Sequence, residues 1–167
     1  MVPESLVVRP ARPDDAEGIS RLILALSRYF LADAEHPEAA AAFLQTLAPA
    51  AVAQTLADDR YRYHVAEVDG VLAGVVGMRD GAHLFHLFVA EPFHGRGIGA
   101  MLWDTVRREA LAAGNPGRFT LNSSRYAIPV YERLGFVATD ALQVNDGLAY
   151  LPMHLIESPS RPVQPAD

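Results

Sequence analysis

The densest chemical signal in the sequence is the run His94-Gly95-Arg96-Gly97-Ile98-Gly99-Ala100. Its three glycines lead directly into a segment whose apolar positions Ile98, Leu102, Val106 and Ala110 recur every four residues. Glycines let backbone amides approach an anion closely, and a helix that starts here adds unpaired N–H groups and the positive end of its dipole. A pyrophosphate is the natural guest of such a loop. The string Gly95-x-Gly97-x-x-Ala100 also satisfies the loose dinucleotide fingerprint, which needs a parallel βαβ unit around it and an acid about twenty residues further on. The corresponding stretch, Arg118 to Ser124, holds no acid, and three strand-like runs in succession precede the loop. A Walker-type loop fails because the chain has no lysine to reach a nucleotide's phosphates.

Other chemistries fall to composition. Without cysteine there is no disulfide scaffold, thiolate metal site, iron–sulfur cluster or thiol nucleophile. All 14 basic residues are arginine, which removes lysine Schiff bases as well. A net charge of −6 argues against nucleic acid as a partner. On a regular strand His83, Phe85 and Leu87 share one face and His86 takes the other, so the two histidines do not pair on a metal, and none is expected. Between Asp14 and Asp59 stand eight acids against Arg21 and Arg28. That stretch reads either as a solvated face or as an electronegative approach for a cationic ligand.

The elements that must position the loop follow from periodicity. Leu6 to Arg9 reads as a strand stopped by Pro10 and Pro13. Asp14 or Asp15 is placed to cap a helix with apolar positions Ile19, Leu22, Ile23 and Leu26. Pro37 and Pro49 open two further short helices, ending near Leu47 and Ala57. Tyr61 to Val68 and Val71 to Met78 form a hairpin around Asp69-Gly70, and Asp80-Gly81 turns into a strand from His83 to Val89. The helix after the glycine loop ends at Gly114 to Gly117. A strand from Phe119 to Asn122, a helix around Tyr126 to Leu134, a strand from Phe136, a turn at Asn145-Asp146-Gly147 and a strand from Tyr150 to Ile156 complete the order. This is a mixed α/β domain over residues 1–156, and the proline-rich tail 157–167 reads as disordered. Ala39 to Ala57 is uncharged but too weakly hydrophobic to span a membrane, and Met1-Val-Pro-Glu4 does not open a secretory signal, so a cytoplasmic protein without membrane contact is expected.

With these residues in view the chain resembles the GNAT superfamily of acyl-CoA-dependent N-acyltransferases. His94-Gly95-Arg96-Gly97-Ile98-Gly99 matches their Gln/Arg-x-x-Gly-x-Gly/Ala loop except at its first position. Leu87-Phe-Val-Ala-Glu-Pro92 looks like the family's fourth strand running out at a proline. Ala127-Ile-Pro-Val-Tyr131-Glu-Arg-Leu-Gly135-Phe136 looks like its late helix, and Val8 to Asp15 has the family's opening flavour. The resemblance covers about residues 6–156.

It implies a central, mostly antiparallel sheet whose fourth and fifth strands splay apart, flanked by helices. It further implies an N-acetyltransferase that carries the acetyl group of acetyl-CoA to a small-molecule or peptide amine by direct attack in a ternary complex. The pantetheine arm would lie in the splay against the backbone of Leu87, Phe88 and Val89. The pyrophosphate would rest on the loop from His94 through Gly95, Arg96, Gly97, Ile98 and Gly99 to Ala100. Tyr131 matches the usual general acid, and His83 falls where several relatives carry a Glu or His base. Ser124 stands where relatives often hold an asparagine against the cofactor arm, while Asn122 is two residues away. The acidic early helices would favour a cationic amine, with Glu35 and Glu38 lowering its Michaelis constant. A homodimer is compatible with pairing or swapping of the last strands. The competing reading from another class is an acyl-CoA-binding or sensing module without turnover.

Overall fold

A computed structural model describes residues 5–157. Five strands open the sheet: β1 (Leu6–Pro10), β2 (Tyr61–Val68), β3 (Val71–Arg79), β4 (His83–Val89) and β5 (Arg118–Ser123). Three more follow: β6 (Val137–Ala138), β7 (Gln143–Asn145) and β8 (Leu148–Ile156). Their spatial order is β1-β2-β3-β4-β5-β8-β6, with β7 also on β8. Every pair is antiparallel except β4–β5. The helices are α1 (Ala16–Ala25), α2 (Ala41–Gln45), α3 (Pro49–Ala57), α4 (Ile98–Ala112) and α5 (Ile128–Arg133).

The two faces of the sheet carry separate cores. On one side Ile19, Leu22, Ile23 and Leu26 bury the apolar stripe of α1, together with Val52 of α3, against Tyr63, Val65 and Val75. On the other, Ile98, Leu102, Trp103, Val106 and Ala110 of α4 face Ala66, Val76 and Leu84. Trp103 is set edge-on between Phe119 and Phe136, at 5.1 and 5.3 Å.

The hairpin turns are where the sequence placed them. Asp69-Gly70, Asp80-Gly81 and Asp146-Gly147 each put both residues at positive φ, the geometry that Asp-Gly pairs supply in two-residue turns. The alanine-rich stretch divides into two short helical segments meeting at 41°, and no single helix among the described residues is long and apolar enough to cross a bilayer.

Four local expectations change. Asp15 does not cap α1 with its side chain. Instead its carboxylate accepts two bonds from the Arg9 guanidinium and one from the Arg12 N–H, and the Arg9 bonds hold its pKa below the ordinary value. The last strand starts at Leu148 and gains β7 as a hairpin partner. Glu157, read as the first residue of the tail, donates its N–H to Gly117 and takes the Arg107 guanidinium at 2.5 Å; residues 158–167 lie outside the described ones.

The fourth change concerns the strand that matters most. The register of β3 on β4 slips between Gly77 and Met78, so that Gly77 faces His86 while Met78 faces Leu84, leaving Phe85 as the extra residue of a β-bulge. Strict alternation breaks there. Phe85 and His86 stack on each other at 4.2 Å and both lie on the α1 side, whereas Leu87 packs into the α4-side core. The expected grouping of His83, Phe85 and Leu87 on one face is therefore wrong, because it assumed an unbroken pleat.

Candidate acyl-transfer site

The parallel pairing of β4 with β5 is confined to His83–Thr120 and Leu84–Leu121. Beyond it β4 runs on to Val89 and β5 to Ser123 without meeting. A bulge adds local twist and bends its strand, so Phe85 sits at the point where the two strands part. The resulting gap leaves Leu87, Phe88 and Val89 paired only with β3, and strand backbone facing such an opening is free to bond an extended guest.

At the open end of the gap the chain turns through Glu91–Phe93 into the glycine loop. Gly95 and Gly97 adopt φ of +77° and +78°, and a Cβ at either would meet nothing within 4 Å. Their glycine character answers to backbone conformation rather than crowding. Gly97 is the N-cap of α4, whose first turn contains no acid and no side-chain cap, so the first amides of the helix stay available to an anion. The His94 ring folds back and its Nε2 donates to the Val89 carbonyl at 2.6 Å, linking loop and strand end. Arg96 lies over the Phe93 ring, 5.4 Å from its centroid.

Tyr131 is buried in the α4-side core, edge-on to Phe136 at 5.9 Å, and burial pushes its phenol well above the ordinary value of 10.0. His83 stands at the closed end of the gap, its Nδ1 hydrogen-bonded to Thr120 Oγ1 at 2.8 Å. Burial, helped by the charge of Arg79, depresses its pKa and keeps the imidazole neutral. Thr120 alternates with the buried Phe119 and Leu121, so His83 and Tyr131 belong to opposite faces of the sheet, one on each side of the gap. Ser124 Oγ accepts from the Ala127 N–H ahead of α5, which leaves its own proton for another acceptor. Asn122 is exposed on the Thr120 side, away from the α4 core. Among the described residues no three His, Asp or Glu side chains converge as metal ligands.

Sequence reasoning missed two features. One is a buried pair: Tyr63 Oη and His86 Nδ1 lie 2.8 Å apart, and the Tyr63 ring occupies the space above Gly77, where a Cβ would stand 2.3 Å from it. Burial lowers the His86 pKa to about 3. The other is a cavity of about 230 Å³ at the open end of the gap, lined among others by Arg28, Tyr29, Arg125 and Tyr126. The Tyr29 and Tyr126 rings lie tilted against each other with their centroids 4.4 Å apart. Glu91, just past β4, accepts from both Arg28 and Tyr29 Oη. The aromatic signal at Tyr29 and Phe30 was visible in the sequence; their meeting with residues nearly a hundred positions later was not. The acids expected to colour this region do not line the cavity, and Asp15, Glu17 and Asp58 pair with Arg9, Arg21 and Arg60.

Comparison with known proteins bears directly on this geometry. The family model described as "Acetyltransferase (GNAT) domain" matches residues 31–157. No curated protein matches the chain in sequence. Among solved structures, a GCN5-related N-acetyltransferase from Rhodopseudomonas palustris is 25% identical with a TM-score of 0.76, covering 92% of this chain and 97% of that one. The PaiA N-acetyltransferase from Thermoplasma acidophilum, solved with coenzyme A, is 14% identical at a TM-score of 0.73, covering 90% and 98%. The spermidine N-acetyltransferase SpeG from Vibrio cholerae is 17% identical at 0.63, covering 90% and 93%. The last two show a shared fold.

Proposed function

The chain belongs to the GNAT acetyltransferase family and is an acetyl-CoA-dependent N-acetyltransferase, and from that premise we propose that it acetylates a primary amine by direct attack, with both substrates bound together. The observation that carries this reading is the β4–β5 gap opening onto an uncapped helix N-terminus through two left-handed glycines. In this reading the amides from Gly95 to Ala100 hold the pyrophosphate, with the Arg96 side chain assisting. The backbone of Leu87 to Val89 bonds the pantetheine arm, which requires His94 to release the Val89 carbonyl wherever the arm uses it. Ser124 donates its remaining proton to the arm; Asn122, on the outer side of β5, is a lesser contact.

Acetyl-CoA supplies a thioester, whose carbonyl carbon accepts the amine. His83, neutral at physiological pH, takes a proton from the incoming ammonium on the α1 side, directly or through water. The C–N bond forms, the C–S bond breaks, and the second amine proton finishes on sulfur. Tyr131, on the α4 side, donates its hydroxyl hydrogen bond to the departing sulfur. Its raised pKa makes full proton surrender costly, so its contribution is a fixed donor to the developing charge, with the proton drawn finally from the ammonium produced by attack.

Thermal unfolding with acetyl-CoA, free CoA and NAD side by side tests the donor assignment. A ligand at a hundred times its dissociation constant adds about 2.7 kcal/mol to stability. The expected result is a raised melting temperature with both CoA compounds and none with NAD. A shift with NAD alone, or with no ligand, would contradict the assignment.

A further inference from the structure

The cavity beside the gap has a charge opposite to that expected of the acceptor approach. Although the protein carries a net charge of −6, two arginines and no acid line this space. Arg28 shares Glu91 with Tyr29. Arg125 is exposed and has no hydrogen-bond or ion-pair partner among the described residues. The remaining lining is aromatic or apolar, with Tyr29, Tyr126, Phe30 and Ala149 among it. The wall is fixed rather than loose: Ala149 N–H bonds the Phe30 carbonyl, Ala32 N–H bonds the Gly147 carbonyl, and Leu31 bridges to Leu148.

Resting on the transfer reading above, we propose that this cavity is the acceptor subsite, and that the acceptor is a free α-amino acid with an apolar or aromatic side chain, its carboxylate held by Arg125. Its position fits: the cavity opens onto the gap on the α1 side, since Glu91 follows β4 and Arg125 follows β5, and from there His83 at the closed end reaches the amine through water along the gap rather than directly. Its size fits too, since about 230 Å³ lies below the roughly 300–1,000 Å³ typical of drug-sized sites. A guanidinium offers a carboxylate two parallel hydrogen bonds. Arginines nearby also lower the pKa of an ammonium group, easing the loss of the proton that attack requires, whereas a ring of acids would hold that proton in place. Polyamines, which carry several positive charges, are disfavoured by the same field.

The test compares phenylalanine, methionine and leucine with phenylalaninamide, phenethylamine and spermidine as acceptors, for the unaltered protein and for Arg125→Gln. The expected result is a kcat/KM at least about tenfold higher for the amino acids than for the carboxylate-free amines, a preference that Arg125→Gln abolishes by lowering the amino-acid values alone. The KM for acetyl-CoA stays within twofold. A rise in that KM with unchanged acceptor preference would assign Arg125 to the phosphates of the donor and overturn the proposal. Turnover of spermidine or phenethylamine without turnover of amino acids would overturn the subsite and leave the transfer reading standing. Binding of acetyl-CoA without turnover of any acceptor would defeat both.

Discussion

Replacing Tyr131 by phenylalanine is expected to lower kcat by about 10²-fold or more, the ordinary range for a positioned acid or hydrogen-bond donor. The ring stays, so its edge-on contact with Phe136 and its place in the buried core stay with it. The KM for acetyl-CoA should move little, because the phenol acts on sulfur only as negative charge develops there. The raised pKa sharpens the prediction. A phenol buried this deeply keeps its proton across the working range, so the alkaline limb of the rate profile should not report Tyr131 ionisation, and the loss on substitution should be the same at pH 7 and pH 9. A kcat within threefold of the original would make Tyr131 a packing residue.

The second large effect is on stability in mild acid. His86 has a pKa near 3 in the folded chain against an ordinary 6.5. The unfolded chain therefore takes up a proton as pH falls below 6.5, while the folded chain refuses it until pH 3. Stability is present in full above pH 6.5 and declines by up to about 1.4 kcal/mol per pH unit from this group alone, a total of about 4 to 5 kcal/mol by pH 3. Its neighbours offer no relief: Tyr63 Oη bonds the ring, and Phe85 and Phe88 cover it. His64 and His83 are also depressed by burial and act in the same direction. Asp15, held low by Arg9, adds its loss only once the pH falls into the ordinary carboxylate range and continues to lose below it. Denaturant unfolding at pH 7.5, 6.5, 5.5 and 4.5 should show the midpoint nearly level over the first step and falling over the last two. His86→Phe should flatten the slope by close to one proton. A midpoint constant from pH 7.5 to 4.5 would contradict the buried neutral imidazole.

Much of this architecture was legible because it is local. Asp-Gly pairs at 69, 80 and 146 announce turns by their own conformational preference, and the spacing of Ile98, Leu102, Val106 and Ala110 announces a buried helix face. The glycine loop was readable for the same reason, since φ at Gly95 and Gly97 is a property of the loop itself. The bulge at Phe85 was not. It depends on Tyr63 lying flat across Gly77 and bonding His86, three residues on three strands, and nothing in the run His83 to Val89 betrays a skipped register. Charge was legible only as a choice between a solvated face and an electronegative approach. A count along the chain placed the acids near the early helices, where ion pairs with Arg9, Arg21 and Arg60 bind three of them, while the cavity draws Arg125 from a distant loop that no count could place there. The capping role expected of Asp15 yielded to Arg9 on β1, a partner that only the folded chain brings within reach.

The most direct test of the account follows the acetyl group itself. The protein is mixed with acetyl-CoA labelled in the acetyl carbon and with a panel of amino acids and amines. Free thiol, acetylated product and intact protein mass are then measured together over the first turnovers. Direct transfer releases thiol only when an acceptor is present, yields a matching amount of labelled N-acetyl product, and leaves no acetylated protein at any time. Acetyl-CoA retained without transfer to any acceptor would mark a binding module, and a labelled protein appearing before product would contradict direct attack.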